Sequence, residues 1–304
     1  MNTFSTIIPC FNRQDYVAAT LESVLAQREL TEIIVVDDGS TDGSLEVLSR
    51  YAGRITILQQ KNRGPGAARN LGASKAKGEY LCFLDSDDLW FPWTLSAFRR
   101  AIEEHGAPAV ITSMPVMFVD PAKIVAGGAG EQRMTAWPDF YSAPPQWFYP
   151  SGSAIKRSEF ERVGGFTEGP SEDTDLWLRL GASPGFVRID TPVGFAYREH
   201  PGGISKRPTV QSTGALRLID EENAGHYPGG NGRRAARMAY ISMHTRALSI
   251  YCLRQGMFGA AWRMYGRMFL WHVRLVRIKY LCALPILTVG ALGRKLFRGE
   301  QGAH

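Results

Sequence analysis

Residues 1–115 alternate short apolar runs with amphipathic stretches, and this alternation limits the chain to one fold class. Apolar runs typical of strands lie near residues 4–9, 32–36, 55–59, 80–84 and 109–113. Helical patterns fill the intervals, near residues 14–27, 42–52, 66–76 and 92–104. Strands that alternate with helices across short connections build a mostly parallel sheet with helices on both faces. The sequence therefore predicts an α/β fold with a Rossmann-like, doubly wound sheet.

The alternation ends near residue 115. Residues 115–150 are rich in proline, glycine and aromatic residues, which predicts loops and short strands packed onto the same domain. A short helix is expected over residues 172–181, and two further strands within residues 186–198. Beyond residue 209 the pattern is helical, with breaks expected at residues 225–232 and at Pro285.

The formal net charge of +6 conceals a change of sign near residue 205. Residues 1–205 carry 19 basic and 25 acidic side chains, whereas residues 206–304 carry 16 basic and only 4 acidic ones. This asymmetry predicts one domain over residues 1–205 and a basic, helical region over residues 206–304 that has an anionic partner.

The remaining composition is that of a folded globular protein, with 44% hydrophobic and 21% charged residues. Four cysteines lie far apart in the chain, at Cys10, Cys82, Cys252 and Cys282. They predict neither a disulfide framework nor a zinc site, so a reducing cytosol is the expected environment. The first apolar run lacks a cationic leader, and no signal peptide is expected.

Polar or glycine-rich motifs occur at four points where a strand ends or a helix begins. They lie at Pro9–Asn12, Asp37–Ser40, Asn62–Asn70 and Asp85–Asp88. Neighbouring parallel strands bring their carboxyl ends to one edge of a sheet, where open α/β sheets bind ligands. Each motif alone is also explained by an ordinary turn, a helix breaker or a core residue. Four of them in sheet order predict a ligand site.

Each of the first three motifs offers a group suited to a nucleotide. The Phe11 ring can stack on a base, and the carboxylates of Asp37 and Asp38 can accept hydrogen bonds from a base N–H or from ribose hydroxyls. The glycine-rich entry to a helix at residues 62–70 offers backbone amides to a diphosphate, and Arg69 adds a guanidinium for a diphosphate or a base.

The fourth motif is a strand that leads into three carboxylates, on Asp85, Asp87 and Asp88. Three uncompensated carboxylates this close repel one another, and a divalent cation relieves the repulsion. Oxygen ligands of this kind suit Mg²⁺ or Mn²⁺, usually shared with substrate phosphates. The alternative is an acidic surface turn that opens the next helix.

The ordered set of motifs resembles family 2 glycosyltransferases of the GT-A fold, over roughly residues 1–205. The motifs are I-I-P-C-F-N, V-V-D-D-G-S-T-D, N-R-G-P-G-A-A-R-N, F-L-D-S-D-D and E-D-T-D-L-W. The resemblance implies that eight residues bind the nucleotide-sugar donor: Pro9, Phe11, Asn12, Asp37, Asp38, Arg69, Asp85 and Ser86. It implies further that Asp87 holds a metal ion, Mn²⁺ or Mg²⁺. A tyrosine often stands at position 11 in the family, and Phe11 keeps its stacking face without the hydroxyl.

The pair Glu172-Asp173 resembles the second acidic pair of the family, which supplies the catalytic base. A sugar hydroxyl is a poor nucleophile, so a carboxylate within hydrogen-bond reach must take its proton as the new bond forms. The resemblance implies that Asp173 is this base and that attack opposite the leaving group inverts the anomeric centre. Helix capping is the alternative role, because Asp173 and Asp175 begin a helical stretch.

The segment from Tyr197 to Ser205 resembles the loop after the last strand in this family, where a histidine often completes the metal or diphosphate site. The resemblance makes His200 a metal ligand. A structural or merely exposed histidine is the alternative.

The basic C-terminal region combines cations with apolar residues. On a helix, Arg263, Arg267, Arg274 and Arg277 fall within an arc of about 80°. The apolar run over residues 280–293 is too short to span a bilayer, which needs roughly 20 residues. The region is therefore predicted to contact an anionic membrane surface. The alternative is a helical appendage whose arginines are solvated or packed on the acidic first domain.

Together these features predict an inverting, metal-dependent glycosyltransferase in cell-surface glycan or polysaccharide synthesis. The resemblance of the base pocket to uridine-binding members of the family implies a UDP-sugar donor, with other nucleotide sugars as the alternative. The expected acceptor is a hydroxyl of a glycan or lipid-linked molecule, and the expected location is the cytoplasmic face of the cell membrane. The alternatives are a nucleotidyltransferase, which the loop at Pro9–Asn12 does not support, and a non-catalytic membrane-bound nucleotide-sugar scaffold or sensor. Nucleic acid is not expected as a partner, because the basic region lacks a recognised module.

Overall fold

The computed structural model describes residues 3–124, 130–200 and 207–300, with side chains described up to residue 291. Two compact units form within it. Unit 1 comprises residues 1–143 and 147–200, and unit 2 comprises residues 144–146 and 201–304. The part of the predicted Tyr197–Ser205 loop that comes after His200 lies outside the described residues.

Unit 1 contains eleven strands within the described residues. They are β1 Phe4–Cys10, β2 Thr31–Asp37, β3 Thr56–Gln59, β4 Tyr80–Phe83, β5 Leu89–Trp90, β6 Val110–Ser113, β7 Pro115–Phe118, β8 Arg133–Trp137, β9 Ser153–Lys156, β10 Phe186–Thr191 and β11 Phe195–Arg198. Eight of these strands form one sheet in the order β3-β2-β1-β4-β9-β6-β10-β8, and the other three form a small sheet in the order β5-β11-β7.

Six α-helices are described in unit 1. They are α1 Val17–Leu25, α2 Ser44–Ser49, α3 Pro65–Ala73, α4 Thr94–Glu104, α5 Arg157–Arg162 and α6 Glu172–Arg179. The predicted strand–helix alternation and the mixed α/β class are confirmed. The apolar pair Ala154-Ile155 lies in β9, and the sequence did not predict that this strand runs antiparallel between β4 and β6 and divides the parallel pairs of the large sheet.

The register of the first four strands decides where the polar motifs meet. Cys10 pairs with Asp37, Asp37 pairs with Gln59, and Ile7 of β1 pairs with Phe83 of β4. The carboxyl ends of β3, β2, β1 and β4 therefore lie side by side, in the order expected for a parallel sheet. All seven residues of β1 are buried, because helices and neighbouring strands enclose it.

Unit 2 is built from four described helices. They are α7 Pro208–Asn223, α8 Arg234–Arg254, α9 Phe258–Arg274 and α10 Ile278–Glu300. Their buried side chains form a small core of their own around Cys252, Ala261, Met264 and Leu284. The break expected at residues 225–232 is confirmed. Two turns that were not predicted follow, the first at Gly256 with a φ of +76° and the second between α9 and α10.

The break expected at Pro285 is wrong, because α10 continues through this residue. A proline inside a helix leaves the carbonyl four residues earlier without its N–H donor. Here that carbonyl belongs to Leu281, and it accepts a hydrogen bond of 3.0 Å from the hydroxyl of Tyr265 on α9. A neighbouring helix thus replaces the lost backbone donor.

Through the described ranges, no helix has both the length and the apolar character that crossing a membrane requires.

Candidate active site

The loops after β1 and β2 are joined to each other. The backbone N–H of Asn12 donates to the Ser40 hydroxyl at 3.0 Å, and the N–H of Thr41 donates to the Asn12 side-chain oxygen at 2.8 Å. Asn12 has a φ of +53°, a conformation that asparagine tolerates better than most residues. Phe11 is 41% exposed beside this junction, while Pro9 before it is buried in β1. The ring of Phe11 is thus presented at the sheet edge.

Asp38 connects the end of β2 to the start of α3. Its carboxylate accepts the backbone N–H groups of Arg63 and Gly64, each at 2.9 Å, and the side-chain amide of Gln60 at 2.7 Å. Asp37 and Asp38 are both buried. Gly64 has a φ of +89°, which favours glycine at this position. Asp38 therefore holds the glycine-rich segment before α3 in place, at the carboxyl-terminal edge of the large sheet.

Arg69 is a buried cation that joins two acidic centres. Its guanidinium is 2.5 Å from an Asp85 oxygen after β4 and 3.2 Å from a Glu172 oxygen on α6, and it lies over the Phe166 ring. Burial opposes the charged form of Arg69, but the charges of Asp85 and Glu172 outweigh it and raise its pKa. The arginine holds the end of β4 and the start of α6 in fixed positions.

The three carboxylates after β4 are not the uncompensated cluster that the sequence suggested. Asp85 pairs with Arg69, whereas Asp87 pairs with Arg13 through a 3.0 Å contact to Nε. The same Asp87 oxygen lies 3.0 Å from Nε2 of His200. Asp88 points the other way and is 1% exposed. Asp85 and Asp87 each have an arginine partner, so the three carboxylates are not uncompensated, although the charges of Asp85 and Asp87 still act on the buried Asp88.

Asp88 ties the loop to β11 and to the segment before β9. It accepts the Ser151 hydroxyl at 2.5 Å and the backbone N–H of Arg198 at 2.9 Å. Ser151 in turn accepts the backbone N–H of Asp85 at 3.1 Å. Burial, followed by the nearby charges of Asp85 and Asp87, raises the pKa of Asp88 well above its usual range. Asp88 thus positions the strand that leads to His200.

Asp88→Ala should destabilise the protein by about 3 kcal/mol, because it leaves two buried donors without an acceptor. Asp88→Asn should cost much less, since its oxygen still accepts from Arg198 and its amide can donate to Ser151. Urea unfolding of both variants measures the difference. Equal losses for alanine and asparagine would contradict this role.

A metal ion at this edge would be held by few protein groups. Across residues 3–124, 130–200 and 207–300, no group of three or more histidine, cysteine, aspartate or glutamate side chains is arranged for a metal. The adjacent Asp87 and His200 supply one carboxylate oxygen and one imidazole nitrogen. This pair fits a Mg²⁺ or Mn²⁺ ion whose other ligands are substrate phosphates and water. It does not fit a cation enclosed by protein alone.

The second acidic centre lies in the first turn of α6. Asp173 is partly buried, and one of its oxygens accepts the N–H of Thr174 at 2.6 Å. Burial raises the pKa of Asp173. Burial and the charge of Asp173 raise the pKa of Glu172 to about 7, although Arg69 opposes the shift. Glu172 is thus suited to exchange a proton near neutral pH, and Asp173 to hold its proton at a higher pH than an exposed aspartate does.

Asp175 has a different environment, one turn into α6. It is 2% exposed and pairs with Nε of Arg179 at 2.8 Å and with the Thr167 hydroxyl at 2.9 Å. These contacts anchor α6 to unit 1. Trp177, two residues further along α6, is also buried.

The sequence placed most of these side chains at one edge but missed several of their partners. Ser86 is buried within the loop, as a polar residue next to Asp85 and Asp87. The missed partners are Arg13, Ser151 and Arg198. Arg13 follows the Pro9–Asn12 motif by one residue, and this closeness to the motif was the available signal. The contacts of Ser151 and Arg198 span more than 60 residues, and no local pattern marks them.

A family model described as "Glycosyl transferase family 2" matches residues 5–160, just over half of the chain. The chain belongs to this family. The matched residues include all of β1 except Phe4, strands β2 to β4, Arg69 and the Asp85–Asp88 loop. Asp173 and His200 lie beyond the end of the match.

Two relatives with similar sequences are named glycosyltransferases. The poly(ribitol-phosphate) β-N-acetylglucosaminyltransferase TarS of Staphylococcus aureus is 33% identical over 121 residues, which cover 38% of this chain and 21% of TarS. The Escherichia coli UDP-Glc:α-D-GlcNAc-diphosphoundecaprenol β-1,3-glucosyltransferase WfaP is 29% identical over 219 residues, covering 67% of this chain and 80% of WfaP. The chain thus spans about a fifth of the length of TarS.

Solved structures agree on the fold. The TarS fragment 1–349 in complex with UDP matches with a TM-score of 0.58 and 20% identity, over 81% of this chain and 72% of the fragment. The mannosyltransferase PcManGT of Pyrobaculum calidifontis, in complex with GDP-Man and Mn²⁺, matches with a TM-score of 0.56 and 18% identity, over 95% of this chain and 87% of that one. The fold of the chain is therefore GT-A with a helical C-terminal region.

Proposed function

We propose that the protein is an inverting, metal-dependent glycosyltransferase that moves a sugar from a UDP-sugar to an acceptor hydroxyl. The observation that carries the proposal is the link through buried Arg69. It joins the Asp85 centre, suited to a donor diphosphate, to the Glu172-Asp173 centre, suited to a base. A transferase of this kind needs both centres at a fixed separation, because leaving group and nucleophile must be held together.

The donor side is assigned to the edge formed by the first four strands. The exposed Phe11 ring stacks on the base, beside Asn12, Asp37 and Asp38. Asp85 and Ser86 face the ribose and diphosphate, and Arg69 keeps Asp85 in place. Asp87 and His200 would hold Mn²⁺ or Mg²⁺, which supplies positive charge to the departing diphosphate.

The base is assigned to Asp173. Its carboxylate takes the proton of the acceptor hydroxyl while the oxygen attacks the anomeric carbon and the bond to the UDP oxygen breaks. The raised pKa of Asp173 makes it a stronger base than an exposed aspartate. Asp175 is left in its structural role, since Arg179 and Thr167 already occupy its carboxylate.

The acceptor is proposed to be a glycan or lipid-linked molecule used in cell-surface polymers. TarS and WfaP support this class, because their names record a poly(ribitol-phosphate) and a GlcNAc-diphosphoundecaprenol. For such an acceptor we propose that the protein lies on the cytoplasmic face of the membrane, with the basic region 206–304 on anionic lipid. Catalysis is then assigned to residues 1–205.

Calorimetric titration of UDP with Mn²⁺ present tests the donor site. We expect binding for the native chain, and about 10-fold or weaker binding for Phe11→Ala, because stacking of one base on an aromatic ring contributes roughly 1–3 kcal/mol. Phe11→Tyr is the matched control and should bind as the native chain does. Binding of GDP in place of UDP would overturn the uridine assignment.

The rate should also depend on pH in a defined direction. The base works only when deprotonated, and burial raises the pKa values of Asp173 and Glu172, the latter to about 7. We therefore expect kcat/KM to rise with pH and to level off once Asp173 is deprotonated, with the titration of Glu172 near pH 7 acting on the same limb. Glu172→Gln should move this limb to lower pH. A flat profile would contradict the assignment.

A non-catalytic nucleotide-sugar scaffold is the remaining alternative. It would share the donor edge but would need no base. Hydrolysis or transfer of UDP-sugars by the purified chain therefore separates the two, and Asp173→Asn should leave the nucleotide-sugar binding of a scaffold unchanged.

A further inference from the structure

Unit 2 contains an arginine held between two buried contacts. On α8, Ser242, Arg246 and Ser249 share one face, because they are four and three residues apart. The Ser242 hydroxyl lies 3.2 Å from Nδ1 of His272, and the Ser249 hydroxyl lies 2.6 Å from the Tyr280 hydroxyl. Arg246 therefore lies between these two contact points and faces the α9–α10 turn.

A second arginine comes to the same place from the α9–α10 turn. The N–H of Arg277 donates to the His272 carbonyl at 2.8 Å, and the Arg277 carbonyl accepts the N–H of Tyr280 at 3.0 Å. The rings of His272 and Tyr280 are themselves 4.7 Å apart. Burial and the charge of Arg277 lower the pKa of Arg246, as expected for two neighbouring cations. Nε of Arg246 donates to the Ser242 carbonyl at 3.2 Å, and the side chains of both arginines are partly exposed.

No carboxylate neutralises this pair among the side chains that the structure describes. The acidic residues described on α7 pair elsewhere: Asp220 with Arg267, Glu221 with His226, and Glu222 with Arg237. Nε of Arg277 and Nε2 of His272 are buried and have no hydrogen-bond partner. Two neighbouring cations without an acidic partner in the described part of the chain are suited to an anion.

Exposed apolar residues lie next to Arg277 in the sequence. Val273, Val276 and Ile278 are 50%, 71% and 62% exposed. Val276 has a φ of +55°, a left-handed conformation that is a true outlier for a β-branched residue. Helices commonly place glycine at such an end. An exposed valine at a position where glycine would be less strained indicates that its apolar side chain is used.

We propose that unit 2 binds the phosphate of an anionic membrane lipid between Arg246 and Arg277, with Val276 and Ile278 entering the boundary of the acyl chains. The planar guanidinium fork matches phosphate oxygens. No acidic residue lies between Glu222 and Glu300 in the sequence, so an anionic surface meets no repulsion from this stretch. The inference rests on the proposed membrane contact and is independent of sugar transfer.

Vesicle co-sedimentation with the full chain tests the site. The probes are phosphatidylcholine vesicles with and without phosphatidylglycerol. The native chain should bind only the anionic vesicles, and Arg246→Gln with Arg277→Gln should weaken binding about 30-fold, since each basic residue near the surface contributes about 1 kcal/mol. A second pair, Arg254→Gln with Arg263→Gln, removes two exposed cations from the same unit and should weaken binding less. Equal losses for both pairs would mean diffuse attraction and overturn the site.

Val276→Gly guards against misfolding as the explanation. Glycine relieves the left-handed strain at this position, so the variant should unfold at the same or a higher temperature while its vesicle binding falls. Unchanged vesicle binding by this variant would overturn the apolar part of the proposal.

Inorganic phosphate separates a lipid site from a site for a soluble anion. We expect millimolar phosphate to leave most vesicle binding intact, because the apolar contacts add to the headgroup contact. Binding of phosphate by the native chain with no binding to vesicles would overturn the lipid assignment. UDP affinity, measured in parallel on the arginine pair variant, should be unchanged. If the native chain itself did not bind UDP, that result would count against the proposed transferase and not against the lipid site.

Discussion

Asp173→Asn should lower kcat by about 10²–10⁴-fold, the usual contribution of a positioned general base. Asparagine keeps the size of the side chain and can still accept the N–H of Thr174, but it takes no proton from the acceptor hydroxyl. The affinity for UDP should not change, because Asp173 lies on α6 rather than on the donor edge formed by β1 to β4. Steady-state transfer and UDP titration on the same preparation measure the two effects.

The matched control lies two residues away. Asp175→Asn disturbs the contacts with Arg179 and Thr167, so it should lower the unfolding temperature more than Asp173→Asn does. Any decrease in the activity of Asp175→Asn should be proportional to the decrease in its folded fraction. If Asp173→Asn turned over at the native rate, the base would be another group. If the native chain itself produced no transfer while binding UDP, the scaffold alternative would be favoured.

The large sheet and its functional edge could be predicted because they depend on local patterns. Each of the first four strands is an apolar run, and parallel pairing then aligns the ends of those runs without further information. The polar motifs that follow Cys10, Asp37 and Phe83 are therefore brought together by topology alone. That is why Phe11, Asp38 and Asp85 were found at one edge from the sequence.

The charge balance of the site could not be predicted, because it depends on contacts between distant residues. Asp87 and Arg13 are 74 residues apart, and Arg69 and Glu172 are 103 apart. The sequence showed three carboxylates in a row and suggested repulsion, whereas the fold gives Asp85 and Asp87 an arginine each. Pro285 failed as a helix break for the same reason, since its compensating donor is on another helix.

Asp87→Asn should produce the second large effect, a fall in kcat of about 10³-fold. A bound divalent ion contributes several kcal/mol of charge stabilisation, and about 4 kcal/mol corresponds to that factor. Asparagine can still accept from Arg13 and sit beside His200, but it lacks the negative charge that the ion requires. The variant should lose the part of its UDP affinity that depends on Mn²⁺, and this is measured by titration with Mn²⁺ and with a chelator.

The control for Asp87→Asn is His200→Asn, which removes a neutral ligand and leaves the carboxylate. We expect a smaller loss, because the carboxylate and the donor phosphates can still hold the ion. Arg13 provides the second comparison, since Arg13→Gln frees Asp87 from its cation and should strengthen the dependence on Mn²⁺. If UDP affinity in Asp87→Asn still rose with Mn²⁺ as in the native chain, the ion would be held elsewhere. The assignment of Asp87 would then have to be abandoned, whereas that of Asp173 would stand.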